Sequence, residues 1–330
     1  MSAAFGVSVL VLAGVVALAL AVGSVAIAPG DVARALVRGV AGRTEGVFDA
    51  IVWQVRGPRV LGAALVGAGL ALAGAAFQAV FRNPLADPYL LGAASGAGFG
   101  AAVAIVYGAA LPVALGVTST AFVCALATVA AVVTLARRGG RLPVVSLILA
   151  GVVLGSSLSA ATSFVMLAAH ERTAGVLSWL LGSFAFVGPG ELSRLGFAVG
   201  AALVLGIAAR RGFDLLQAGE TTARSLGLPV ERFKWSVLGA ATAVTATAVA
   251  AVGVIGFVGL IVPHAVRLAF GPDHARLIPL AAVWGAAFLV LADLAARTAL
   301  APAEVPVGVV TALIGGPFFL LLLRRGREPA

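Results

Sequence analysis

The sequence predicts an all-α membrane protein whose chain crosses a lipid bilayer about ten times. Three observations predict it. Hydrophobic residues make up 61% of the 330 and charged residues only 11%, with a mean hydropathy of +1.11. A soluble domain needs roughly 25% charged residues to keep its surface solvated, so the main solvent of this chain is lipid. The polar residues sit in islands, and the apolar stretches between them are long enough to span a hydrocarbon core, about 20 residues each. The arginines gather at the ends of those stretches, which is the topology signal of membrane proteins and not a nucleic-acid footprint, although the net charge is +9.

Ten spans follow, at about 5–27, 60–80, 89–107, 113–136, 143–168, 191–209, 235–252, 254–270, 277–298 and 305–323. The whole chain, 1–330, reads as one transmembrane domain. The first run, Phe5 to Ala28, is too long for the core of a cleaved leader and reads as a retained span. Only Gly253 and Gly256 separate spans seven and eight, so one long bent helix is an open alternative there. With the N-terminus cytoplasmic, 14 of the 22 basic residues fall inside. Arg137, Arg138 and Arg141, and the Arg324, Arg325, Arg327 tail, dominate that bias. An even span count puts both termini inside.

Two islands exceed simple turns. One, about 29–58, is predicted as an outer loop. The other, GFDLLQAGETTARSLGLPVERF (212–233), is predicted inside, with short helices stopped at Gly219 and again at Gly227 and Pro229. A structured loop of this length points to a docking element. The Gly62, Ala63, Gly67, Ala71, Gly74 series suits close helix packing.

Chemistry-bearing groups are few. The single cysteine, Cys124, lies in an apolar run as a small filler and permits no disulfide within the chain. The only lysine, Lys234, lies in no phosphate-binding loop, and no G-x-x-x-x-G-K-[ST] motif occurs. ATP-driven work therefore falls to another polypeptide. Asp293 and Arg297 stand at i,i+4 near an outer span end and pair on one helix face. His264 reads as a packing or capping residue, and His170 and His274 as solvated loop residues. No nucleophile–base arrangement, paired carboxylates within a span or metal-ligand spacing points to an enzyme. Asn83-Pro84-Leu85-Ala86-Asp87-Pro88 forbids a regular helix after span two. Gly315-Gly316-Pro317 predicts a break inside span ten that makes it a candidate pathway wall. An ion-coupled secondary transporter is the alternative from another class, but it calls for acids or histidines at mid-span depth, where this chain has almost none.

Four segments carry a resemblance. RGPRVLGAALVGAGLALAGAAFQAVFRNPLADPYLLGAASGAGFG (56–100), LSWLLGSF (177–184), GVIGFVGLIVPHAVRLAFGPDHARLIPLAA (253–282) and ADLAARTALAPAEVPVGVVTALIGGPFFLLLL (292–323) resemble the FecCD-type permeases. These are the membrane subunits of bacterial ABC importers for ferric siderophores, haem and cobalamin. The resemblance implies the type II ABC importer permease fold in the bacterial inner membrane, with a second permease copy, two ATPase subunits and a soluble binding protein as partners. It implies no cofactor on this chain, ATP and magnesium belonging to the ATPase. It implies ATPase coupling at Gly219, Ala223, Leu226 and Gly227. Arg56, Arg59 and Arg297 match outer arginines that receive the binding protein in the cobalamin importer, and Asn83 and Leu85 match its inner gate. Leu142, Pro143 and Val144 stand where that importer has small hydroxyl residues in a second gate, a departure of this chain.

Overall fold

The computed structural model describes residues 2–23, 25–43, 46–108, 116–137, 139 and 142–325. Arg138, Arg141 and Arg327 of the charge bias lie outside the described residues, as does the start of the predicted span at 113.

The described chain is helical. α1 (Ser2–Ala21) is followed by α2 (Pro29–Val40), α3 (Val47–Ala50), α4 (Gly57–Phe81), α5 (Ala93–Tyr107), α6 (Val117–Ala136) and α7 (Val144–Ala169). Then come α8 (Thr173–Leu180), α9 (Pro189–Gln217), α10 (Glu220–Ser225), α11 (Val230–Val252), α12 (Val258–Phe270), α13 (His274–Thr298) and α14 (Val307–Arg325). Among the described residues seven helices are long and apolar enough to cross a membrane alone, and α5, α12 and α14 are shorter apolar helices. Together they account for the ten predicted spans.

The small residues of α4 explain its place at the centre. It packs against α13, α9, α11 and α12. A methyl group at Gly67 would overlap the Gly285 carbonyl of α13, and one at Gly74 would overlap the Gly259 carbonyl of α12. Backbone meets backbone at both points, as the small-residue series predicts. One apolar core joins α4 to α1, α2 and α13 near the Val32 and Ala296 end. A second joins it to α9, α10 and α11 near the Phe213 and Ala223 end.

The island at 29–58 is not a loop. Pro29 starts α2, which buries Val32 and Ala35. Residues 47–81 form one continuous helical run, passing through a π-helical stretch at Ile51–Arg56. Its charged residues Arg56 and Arg59 meet partners at the end of α1 and in α13 instead of breaking the chain.

Spans seven and eight are two helices. Gly253 has φ +82° and Phe257 φ +69°, and 253–256 are non-helical. Interrupted backbone at membrane depth must find partners within the protein. Here three interruptions supply one another: Ser183 N–H donates to Val252 O (2.8 Å), Val307 N–H to Gly182 O (3.3 Å) and Gly308 N–H to Leu181 O (3.1 Å). Tyr89 adds its hydroxyl to Ile255 O at 3.1 Å. α12 and α14 both begin at this knot.

By contrast α14 runs unbroken through Gly315-Gly316-Pro317, correcting the expected break. Gly315 is small for another reason: the Phe257 ring lies on it, where a side chain would overlap.

Candidate functional site

At the α2 end the three predicted arginines come together, but not on an open surface. The end of α1 has carbonyls with no helical partner, and arginines are suited to cap them. Arg56, 4% exposed, donates through Nη1 to Leu20 O (2.7 Å) and Ala21 O (2.9 Å), and through Nη2 to Val25 O. Arg297, 8% exposed, donates to Ala19 O. Arg59 is the most reachable of the three, its side chain 12% exposed. Its Nε and Nη2 hold the Asp293 carboxylate at 2.9–3.0 Å, and its Nη1 holds Glu304 at 2.9 Å. Asp293 also pairs with Arg297 at 3.7 Å. The predicted i,i+4 pair therefore exists, but the closer partner of Asp293 is Arg59, 234 positions away. Glu304, its side chain 47% exposed, was not singled out from the sequence.

At the opposite end the island 212–233 folds as predicted, around two glycines with φ no L-residue readily adopts. Gly219 (φ +114°) ends α9 and Gly227 (φ +89°) ends α10. Nothing lies within 4 Å of a Cβ built at Gly227, so within this chain its need is conformational and not steric. Ala223 is fully buried under α10, and Leu226 projects with 63% exposure. Ion pairs brace the unit: Glu220 holds Lys234, and Arg224 reaches Glu231 at 3.0 Å and Glu220 at 3.5 Å. Glu231 also accepts the Leu142 N–H at 3.3 Å, tying the turn before α7 to α11.

His274 is not a solvated loop residue. α9 extends to Gln217, eight residues past the predicted span, and its last turns meet the start of α13. There His274, 1% exposed, shares a 2.6 Å contact between Nδ1 and Asp214 Oδ1, and its ring lies 5.2 Å from that of Phe213. His264 is buried in α12 as a packing residue.

The turn after α4 is rigid. Arg82 takes φ +49°, the left-handed cap that ends the helix. Asn83 Oδ1 accepts the Leu85 N–H at 2.9 Å, and Asp87 Oδ1 accepts the Tyr89 N–H at 2.8 Å. Burial pushes the Asp87 carboxyl up to about 6, against the pull of the Tyr89 N–H. Asn83 is exposed and Leu85 half-buried, so both side chains are available at the α10 end of the bundle.

Gln78 and Arg267 were missed. The available signal was a lone amide in the apolar run of span two. Gln78 is 2% exposed and links α4 to α12.

Residues 10–325 match the FecCD transport family. The chain is 45% identical over 278 residues to the cobalamin import system permease protein BtuC of Halobacterium salinarum, covering 83% of this chain and 73% of that one. It is 41% identical to the hemin transport system permease protein HmuU of Yersinia pestis, covering 84% of each. Among solved structures, an inward-facing metal-chelate type ABC transporter superposes with a TM-score of 0.86 at 30% identity, over 98% of this chain and 100% of that one. With ten apolar helices among the described residues in the predicted order and the match running nearly end to end, the chain belongs to the FecCD transport family and has the type II ABC importer permease fold.

Proposed function

We propose that the chain is the membrane-spanning subunit of a binding-protein-dependent ABC importer for a metal chelate, working in a bacterial inner membrane with both termini cytoplasmic. The chelate classes are ferric siderophore, on the breadth of the family, then haem and cobalamin, which the names of two relatives support. A second copy of the chain completes the pathway. Its place is supported by α7, which exposes Val153, Phe164 and Leu167 beside a hydroxyl row of Ser156, Ser159 and Ser163.

The observation that carries the proposal is α10: a short helix held between two positive-φ glycines, braced by ion pairs and presenting an apolar Leu226. Such an apolar tip on a rigid mount suits a cleft in an ATPase subunit. Co-expression with that subunit is expected to yield a stoichiometric complex, and Leu226→Asp to weaken it by at least about tenfold, as loss of a buried apolar anchor does. A parent chain that purifies without any nucleotide-binding partner overturns the proposal. The ion-coupled alternative needs an acid whose charge can vary, whereas the buried Asp293 is held between two guanidiniums.

At the other end Arg59, the most exposed of the three arginines, is the one assigned to acidic groups of a binding protein. Arg56 and Arg297 stand behind it and hold α1. Rim charges act mostly on association rate and weaken with salt. Arg59→Gln, which keeps an amide donor for the buried Asp293, is therefore expected to slow association of the binding protein and flatten its salt dependence. An unchanged rate and slope in surface-binding measurements rejects Arg59 as the dock.

Asn83 and Leu85 form the cytoplasmic constriction in this scheme. Replacing both by Ala is expected to raise leak of a small fluorescent solute from liposomes, and equal leak leaves the turn a purely structural feature.

A further inference from the structure

Pro263 lies inside α12 and has no N–H, so the Gly259 carbonyl four residues back lacks its helical partner. α4 supplies one. Gln78 Nε2 donates to Gly259 O at 3.4 Å and to Leu260 O at 3.1 Å. Gln78 Oε1 accepts from Arg267 Nη1 at 3.1 Å, one turn beyond the proline. The approach is possible because Gly74, one turn earlier on α4, leaves room for the Gly259 carbonyl. The main chain of Gln78 takes part as well: its carbonyl accepts the Asn83 N–H at 3.1 Å, the bond that turns the chain out of α4. One residue thus holds α12 with its side chain and the Asn83–Leu85 turn with its backbone.

The contacts continue on the other side. The short turn after α12 leads to His274, which is bonded to Asp214 near the end of α9, shortly before α10. Hydrogen bonds, with the chain segments between them, therefore connect the helix proposed to meet the ATPase with the turn proposed as the constriction.

We infer that Gln78 is a positioning residue that ties α12 to the turn after α4, so that displacement of α12 moves Asn83 and Leu85. The inference rests on the proposal that this turn is a constriction driven by ATP hydrolysis.

The test uses a Leu85→Cys reporter in a Cys124→Ser background, reconstituted in liposomes with the ATPase subunits. The rate of labelling by a membrane-impermeant maleimide is measured with and without ATP. The parent reporter is expected to change rate with ATP. Gln78→Leu is expected to reduce that change about tenfold, the size of effect set by losing a buried amide's hydrogen bonds. Adding Pro263→Ala restores an N–H that bonds Gly259 O within the helix and recovers at least about half of the lost ATP-dependent change, the Arg267 bond to Gln78 Oε1 remaining absent. A merely structural role would lower thermal stability and leave the ATP-dependent change in place. A Gln78→Leu reporter that responds as the parent does, or a double variant as weak as the single, overturns the inference. A parent reporter blind to ATP overturns the constriction proposal and this inference with it. Should Gln78→Leu fail to accumulate, the double variant must accumulate and respond, and its failure also overturns the inference.

Discussion

Gly74→Ala is expected to prevent α4 and α12 from packing, and to be the most damaging glycine-to-alanine change in the described helices. The new Cβ would overlap the Gly259 carbonyl oxygen and lie 2.6 Å from Gly259 Cα. Ordinary carbon contacts are about 3.5–4.0 Å, so the helices must part by roughly 1 Å where both are rigid backbone. Overpacking of this kind costs about 1–3 kcal/mol, and more where no flexible side chain can give way. Separation would also pull Gln78 away from the Gly259 carbonyl that Pro263 leaves without a partner. Gly200→Ala on α9 is the control, because a Cβ there meets nothing within 4 Å. It replaces a flexible residue inside a helix and should stabilise by about 0.5–1 kcal/mol. Each variant adds one methyl group to an α-helix, and the two should shift the thermal unfolding of the purified protein in opposite directions. Equal shifts would mean that α4 and α12 do not meet at these glycines.

Asp293→Ala is expected to have the second large effect. The carboxylate is 1% exposed and lies between Arg59 at 2.9 Å and Arg297 at 3.7 Å. Removing it leaves the buried Arg297 guanidinium without its carboxylate and Arg59 with only the half-exposed Glu304. Breaking a buried pair by removing one partner costs about 3–5 kcal/mol, far more than the pair contributes on balance. The damage should spread to α1, because Arg297 also caps the Ala19 carbonyl. Asp31→Ala is the comparison: the Asp31–Arg34 pair is an exposed i,i+3 contact, and such pairs contribute less than about 1 kcal/mol. Unfolding midpoints followed by tryptophan fluorescence in detergent should fall steeply for Asp293→Ala and hardly move for Asp31→Ala. Comparable midpoints would show that Asp293 is not the centre of a buried charge cluster.

The ten spans, the proline-ruled turn after α4 and the glycine-bounded helix of the 212–233 island are legible in the residues of each segment alone. Each depends on a local quantity. Whether a segment enters lipid is decided by the summed transfer free energy of about 20 neighbouring residues, and whether a turn needs glycine or proline is decided by a few dihedral angles. The family resemblance was legible for the same reason, since its motifs are local runs. Which residues meet across the bundle was not legible there. The tertiary structure paired Asp293 with Arg59 from across the bundle, turned Arg56 and Arg297 toward the end of α1, and buried His274 against Asp214. It also showed that Gly315 makes room for Phe257 and does not break α14, and that Gln78 completes the backbone of another helix. A buried charge or a freed carbonyl must find a partner, and its own segment states that requirement. Which residue answers depends on which of the other helices comes to lie beside it, and that is set by packing contacts between positions far apart in the chain.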